Sequence, residues 1–206
     1  MSGGAVELHG SHVYILVGTV AGMDSRERLL TAAAELLQRD GFSAMSPAAI
    51  QRRAGVGQGS MYHHFAGKAD LAEVAIGRSA DRLLDAADRA IAGAGSPIER
   101  VIRYLERERD PLLGCPVGRL AQDRGVVEDE RLRSVVAGMF VALEQRICAV
   151  LTEDESLPAP GELAAAVLAI LQGGYVLARA GGNRAPFDRA VAGAIRLLTA
   201  STQGDR

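Results

Sequence analysis

The sequence predicts an all-α protein: an N-terminal three-helix unit containing a helix-turn-helix, followed by a larger helical domain. Three observations lead there. Apolar residues, chiefly Ala, Leu and Val, recur at helical spacing rather than in alternating β-branched runs. Clusters of Pro, Gly, Asp and Asn separate those periodic stretches. Near the start, two short helical segments flank a glycine-bearing turn, the spacing of a helix-turn-helix.

Asp24, with Glu27 three residues on, reads as a capping box opening the first helix, whose Leu29, Leu30, Ala33, Leu36 and Leu37 share one face until Asp40-Gly41 ends it. Ser46 before Pro47 is an N-cap with proline at the first helical position; Ala49 and Ile50 point inward, and Gly55 closes this short second helix. A third helix is expected from Gln58 to Phe65, and a longer fourth from "AGKADL" to Ile91. Beyond the loop and cap "GAGSP", helices are expected at 97–109, 116–123, 128–152, 161–180 and 187–201. Asp110-Pro111, "DRG", "DESLPAPG" and "GGNRAP" separate them. The expected organisation is a disordered leader over 1–23, a helix-turn-helix unit over 24–70 and a second helical domain over 71–206.

The 206 residues suffice for a substantial core. The net charge of −2 gives no global attraction to nucleic acid or an anionic membrane, so any such attraction must be local. Two cysteines are too few for a disulfide framework and fit a reducing cytosol. The leader lacks the basic start of a secretion signal, although "VYILVGTVAG" is apolar. The longest apolar run, "LAAAVLAILQGGYVLA", is shorter than a bilayer span and contains Gln172 and a glycine pair; it reads as a buried helix.

The most informative stretch lacks acids altogether. From Gly41 through Ala69 there is no Asp or Glu, where the chain's average density would place about three or four. Arg52, Arg53, Lys68, His63, His64 and several hydroxyl and amide side chains fall within it, a composition suited to facing phosphates. Composition alone leaves an ordinary helical subdomain equally open. Spacing favours a reader of DNA: Gln58 sits at the N-terminus of the third helix, where an amide can make paired hydrogen bonds to adenine. Gly59 permits close backbone approach, and Ser60, Tyr62 and His64 can donate to phosphate oxygens. Lys68 lies where the next helix begins, so its charge and that helix's free N–H groups can share one phosphate.

The stretch "RLLTAAAELLQRDGFSAMSPAAIQRRAGVGQGSMYHHFAGKADL" resembles the N-terminal segment of the tetracycline-repressor (TetR) family of bacterial transcription regulators. The resemblance lies in an amphipathic helix ending in Asp-Gly-Phe, an isoleucine in helix two, then AGV, a glycine with a small hydroxyl residue, tyrosine, phenylalanine three positions later, and lysine before an acid and leucine. It implies DNA contacts at Ser46, Pro47, Gln58, Ser60, Met61, Tyr62, His63, His64 and Lys68. It further implies a cytoplasmic homodimeric repressor on a pseudo-palindromic double-stranded operator, released by a small-molecule effector held in the C-terminal domain. Two positions depart from the family pattern: Gly57 stands where a serine cap is usual, and Gln51 where a small residue is usual.

In the second domain, Tyr104, Met139, Phe140, Leu143 and Tyr175 hold much of the scarce aromatic and thioether surface, which suits either core packing or a largely apolar ligand. Cys115, just before Pro116, is expected at a short helix's N-cap, and reads as a structural cysteine or as a reactive thiolate. Its Gly-Cys-Pro context resembles a branch of the family in which such a cysteine senses electrophiles, so Cys115 joins the ligand-site residues. The last two helices are rich in Ala and Gly, with Leu163, Val167, Ile170, Leu171, Gly174, Val191, Ile195 and Leu198 able either to complete one core or to form a two-fold four-helix interface. The resemblance favours the interface.

Neither a cofactor nor a metal is expected. "GVGQGS" lacks the third glycine and preceding strand of a dinucleotide site, "AGKA" lacks the rest of a phosphate loop, and the adjacent His63 and His64 point about 100° apart on a helix. All four histidines lie in the leader or the third helix, and no catalytic constellation accompanies them, which argues against an enzyme. A helix-turn-helix protein that acts through a partner protein or lacks an effector is the other alternative.

Overall fold

The computed structural model describes residues 24–201, and among them it is all helical. The leader expected over 1–23 lies outside the described residues. Helix α1 (Ser25–Asp40) starts at Asp24, whose side chain accepts from the Arg26 amide. Its Leu29, Leu30, Ala32, Ala33, Leu36 and Leu37 form the buried stripe expected from their spacing. The expected capping box at this end does not form. Glu27 instead accepts two hydrogen bonds, 2.5 and 2.8 Å, from the Arg78 guanidinium of α4, a bidentate charge-assisted pair stronger than a backbone cap. The Arg78 hydrogen bonds hold the Glu27 carboxyl below its usual range. The capping box of this chain is at Ser96 and Glu99, opening α5.

Helices α2 (Pro47–Ala54) and α3 (Gln58–His64) lie against α1. Helix α4 (Lys68–Ile91) then runs unbroken for 24 residues, so the boundary expected at residue 70 falls inside its first turn. It packs on α1 and on α7, and thereby belongs to both halves of the molecule.

Helix α5 (Pro97–Glu106) stops three residues before the expected end. The cause is Arg109, whose guanidinium turns back and donates to the carbonyls of Tyr104, Leu105 and Arg107, satisfying groups that a further turn would have used. Where a helix is expected at 116–123, a 3-10 turn spans Gly118–Gln122. Asp123 then caps a short α6 (Arg124–Glu128) through the expected "DRG" break, and Asp129 caps α7 (Glu130–Leu151).

Helices α8 (Pro160–Gly181) and α9 (Ala185–Ala200) form the most extensive pair. By length and composition α7 and α8 are each apolar enough to cross a bilayer; here each packs a buried stripe into the bundle. Gly174 sits at the α8–α9 crossing, where an added Cβ would stand 3.1 Å from Ala190 Cβ and 3.2 Å from the Phe187 ring. This corrects four of the expected interface residues. Val167, Leu171, Gly174 and Leu198 are buried by their own chain and have no surface left for a partner. Leu163, Ile170, Val191 and Ile195 remain half-buried, while Val176, Leu177 and Leu197 are exposed.

A contact at Asp123 joins the α1 exit to the second half, beside the Arg119 and Gln38 hydrogen bonds. Gly41 ends α1 with φ +88°, in the left-handed half of the map, and its amide donates to the carbonyls of Leu36 and Leu37. Asp123 lies so close that a Cβ on Gly41 would meet its Oδ2 at 2.6 Å. The Asp123 carboxylate accepts from the Ser43 amide (3.0 Å), the Ser43 hydroxyl (2.5 Å) and the Gly125 amide (3.0 Å). Burial pushes this carboxyl up, but the bonds from Ser43, Gly125 and Phe42 outweigh it and hold the group below its ordinary range. A depressed folded-state value means that the clasp's stabilisation is present above the unfolded-state range and is lost as pH falls through the folded value. Gly41→Ala combines backbone strain with loss of the clasp. It is expected to cost about 2 kcal/mol, read as a lower urea midpoint with unchanged slope; an unchanged midpoint would contradict this role.

Candidate nucleic-acid interface and effector cavity

The helix-turn-helix is built by local caps and a small apolar anchor. Ser46 accepts from the Ala49 amide at 3.2 Å, Pro47 occupies the first turn of α2, and Gly55 ends that helix in the left-handed conformation. After the turn, Met61 and Phe65 are buried against the α1 and α2 side. The Gln51 amide reaches the Met61 sulfur at 3.9 Å, so the unusual residue at 51 links α2 to α3. Gly57 provides no side-chain cap, and a Cβ there or at Gly59 would meet open space. The start of α3 is thus a bare backbone edge.

Of the residues expected to contact DNA, Gln58, Tyr62 and His63 are exposed on α3, with Ser60 partly so, and Ser46 and Pro47 lie at the start of α2. Tyr62 leaves 54% of its surface in solvent. Met61 must be corrected: it is fully buried, so its side chain anchors the helix and cannot reach a base. Two others are held within the protein. His64 Nε2 hydrogen bonds to the Ser25 hydroxyl at 2.7 Å, and Lys68 Nζ donates to the Phe42 carbonyl at 3.1 Å while lying 4.2 Å from the Phe42 ring centroid. Lys68 is therefore not a free cation awaiting a phosphate; its remaining two protons are what it can offer. Arg53 pairs with Glu35 at 2.5 Å, whereas exposed Arg52 has no ion pair among the described residues.

In the other half, a cavity of about 700 Å³ opens between the 113–123 segment and α8. A buried annex of about 20 Å³ lies behind it, and Cys115, Gln172 and Tyr175 line both. Of the six residues singled out from the sequence, Tyr104, Met139 and Leu143 line the annex, Phe140 the outer cavity, and Cys115 and Tyr175 both. Cys115 is buried and not at a helix cap: the turn starts at Gly118, whose amide points at the Cys115 sulfur, 3.3 Å away. The missing side chain of Gly118 leaves the space filled by the Gln172 amide and Cys115.

Sequence reasoning missed the arginines here. Arg107 and Arg109 border the annex, and Arg119 and Arg179 the outer cavity. No spacing in "LERERD" or beside Asp123 distinguishes them from ordinary solvated charge. Arg119 donates to the carbonyls of Gln38 and Arg39 at the end of α1, and Arg179 to Leu113 at 3.0 Å. Burial, then the Arg179 charge, push the Arg119 guanidinium below its ordinary value.

The model of the "Bacterial regulatory proteins, tetR family" matches residues 29–75, and that of the "Transcriptional regulator LmrA/YxaF-like, C-terminal domain" matches residues 90–192, half of the chain. The chain belongs to the TetR family. It is accordingly a DNA-binding transcriptional regulator of the TetR family. Among its relatives, the uncharacterised regulator YxaF of Bacillus subtilis is 26% identical over 80% of this chain and 90% of its own length. The repressor KstR of Mycolicibacterium smegmatis is 32% identical over 47% of this chain and 50% of its own. The crystal structure of a TetR regulatory protein from Rhodobacter sphaeroides has a TM-score of 0.73 at 26% identity, covering 84% of this chain and 97% of that one.

Two neighbouring substitutions separate anchor from reader. Met61→Ala is expected to cost about 2–5 kcal/mol of stability. Tyr62→Ala should change stability by less than about 0.5 kcal/mol yet weaken binding to DNA from upstream of its own gene at least about tenfold. Denaturation paired with anisotropy titration checks both.

Proposed function

We propose that this protein is a cytoplasmic homodimeric repressor that leaves a pseudo-palindromic operator when a small molecule enters the cavity beside α8. The observation that carries the reading is a shared wall. Arg119 and Asp123 line the cavity, and both are hydrogen-bonded to the end of α1 or the loop after it. A ligand that shifts either side chain alters the contact that positions the helix-turn-helix, and its leverage is limited to its differential affinity for the two arrangements. The exposed apolar side chains of α8 and α9, Leu177 at 57% and Leu197 at 59%, support a two-fold interface with the half-buried Leu163, Ile170, Val191 and Ile195 beside them. Such a dimer would set two copies of α3 about one DNA turn apart.

A titration against upstream DNA, repeated with salt and with a small-molecule library, tests this. Nanomolar, salt-steep binding reversed by a library member is the expected result. Weak binding indifferent to sequence, or binding that no compound reverses, would overturn the operator or the effector part respectively. Arg119→Ala should keep operator affinity within a fewfold while losing most of the effector's leverage, typically about 5- to 150-fold in this kind of coupling.

A second reading rests on Cys115, which borders both cavities and is positioned to meet an electrophile that enters. Under it, Cys115→Ser abolishes release by the electrophile; retained release would dismiss it.

A further inference from the structure

We propose that the cavity takes an organic acid, with its carboxylate received at the annex by Arg107 and its apolar body in the outer chamber. The inference deepens the effector reading above and rests on it. Its starting point is an orphaned donor. Arg107 is half-buried, but its Nη1 is sealed from solvent and has no hydrogen-bond partner. A buried guanidinium N–H without an acceptor costs free energy that a bound anion would recover.

No carboxylate lines the annex among the described residues, and the neutral oxygens of Tyr104, Gln172 and Tyr175 make no hydrogen bond to Arg107 Nη1. Arg107 stands over the Tyr104 ring, its carbon 5.4 Å from the centroid, with Arg109 at 5.0 Å from the same ring. Arg109 places three of its five N–H donors on backbone carbonyls, whereas Arg107 Nη1 is buried with no partner. Glu106 and Asp188 share a surface groove with Arg107, yet neither forms an ion pair with it; Asp188 pairs with Arg184 instead. Asp123 is the one acid among the lining residues of the outer chamber, and its oxygens are engaged by Ser43 and Gly125; Asp40 also acts on Arg119 but is hydrogen-bonded to Arg39. Four guanidinium groups line the two chambers against these two committed carboxylates, which leaves the cavity electropositive.

Neutral donors complete the site. Burial pushes the phenols of Tyr104 and Tyr175 up from their ordinary value, so both keep their protons at physiological pH. Gln172 lines both chambers and makes no side-chain hydrogen bond among the described residues. At about 20 Å³ the annex admits an atom-sized end such as one carboxylate oxygen and no ring, while Phe140, Tyr175 and Val176 offer the outer chamber an apolar wall. This revises the expectation of a largely apolar ligand by giving it a charged end.

The test compares acids with their uncharged isosteres on the full-length dimer. Cinnamate, salicylate and decanoate are each titrated beside the corresponding primary amide, with calorimetric binding and operator release as separate readouts. At least one acid is expected to bind about 10- to 100-fold tighter than its amide. Arg107→Gln should remove that preference while leaving amide affinity and operator binding unchanged, and Arg107→Lys, which keeps the charge without the planar fork, should retain part of it. Equal binding of acid and amide, no binding by any of the three acids, or an acid preference that survives Arg107→Gln would each overturn the inference. The wild-type comparison decides even if a variant fails to fold. Release of the operator by neutral compounds alone would overturn the anion while sparing the effector reading; acid binding that never releases DNA would do the reverse.

Discussion

Asp123 is the contact on which the relation between the two halves depends. Its carboxylate receives the Ser43 hydroxyl, the Ser43 amide and the Gly125 amide, and it can do so only because residue 41 has no side chain. The same residue caps α6 and lines the cavity beside α8. Three duties meet in one group: it ends the 3-10 turn, fixes the exit of α1 and forms part of the cavity wall. Continuous α4, packed on both α1 and α7, means that a shift at this contact is not absorbed by a flexible linker.

Helix α3 shows how little local stability an element of a helix-turn-helix needs. A helix of seven residues with a glycine at its N-cap and another at its second position would not persist alone. Buried Met61 and Phe65, with the Gln51 contact, hold it from beneath, which leaves Gln58, Tyr62 and His63 exposed on its outer face. The absence of acids from Gly41 to Ala69 keeps that face from repelling phosphates, although most nearby cations are already engaged internally.

Much of this was legible in sequence because it is local. Ser46-Pro47, Gly55 and Ser96-Pro97 act within one helical turn, and the structure places each where its chemistry requires. What was not legible depends on partners distant in the chain. Glu27 chose Arg78, 51 positions away, over its own N-cap, and Arg109 ended α5 by folding back on it. Met61 is apolar at a packing position, as its burial bears out, and only the family resemblance offered it as a contact; Leu171, at apolar spacing like its neighbours, is consumed by its own chain. The six cavity residues were found by their aromatic, thiol and thioether side chains, whereas the arginines beside them carried no signal until the fold separated them from acids.

Gly118 has a consequence for how such a regulator diversifies. The Gln172 amide occupies the place where any side chain at 118 would begin, so the chamber's dimensions are set partly by a missing methyl group. Residue 118 opens a five-residue turn rather than a core helix, and it lies apart from the residues exposed on α3. A lineage can therefore alter the chamber's size in a single mutational step while leaving the outer face of α3 unchanged.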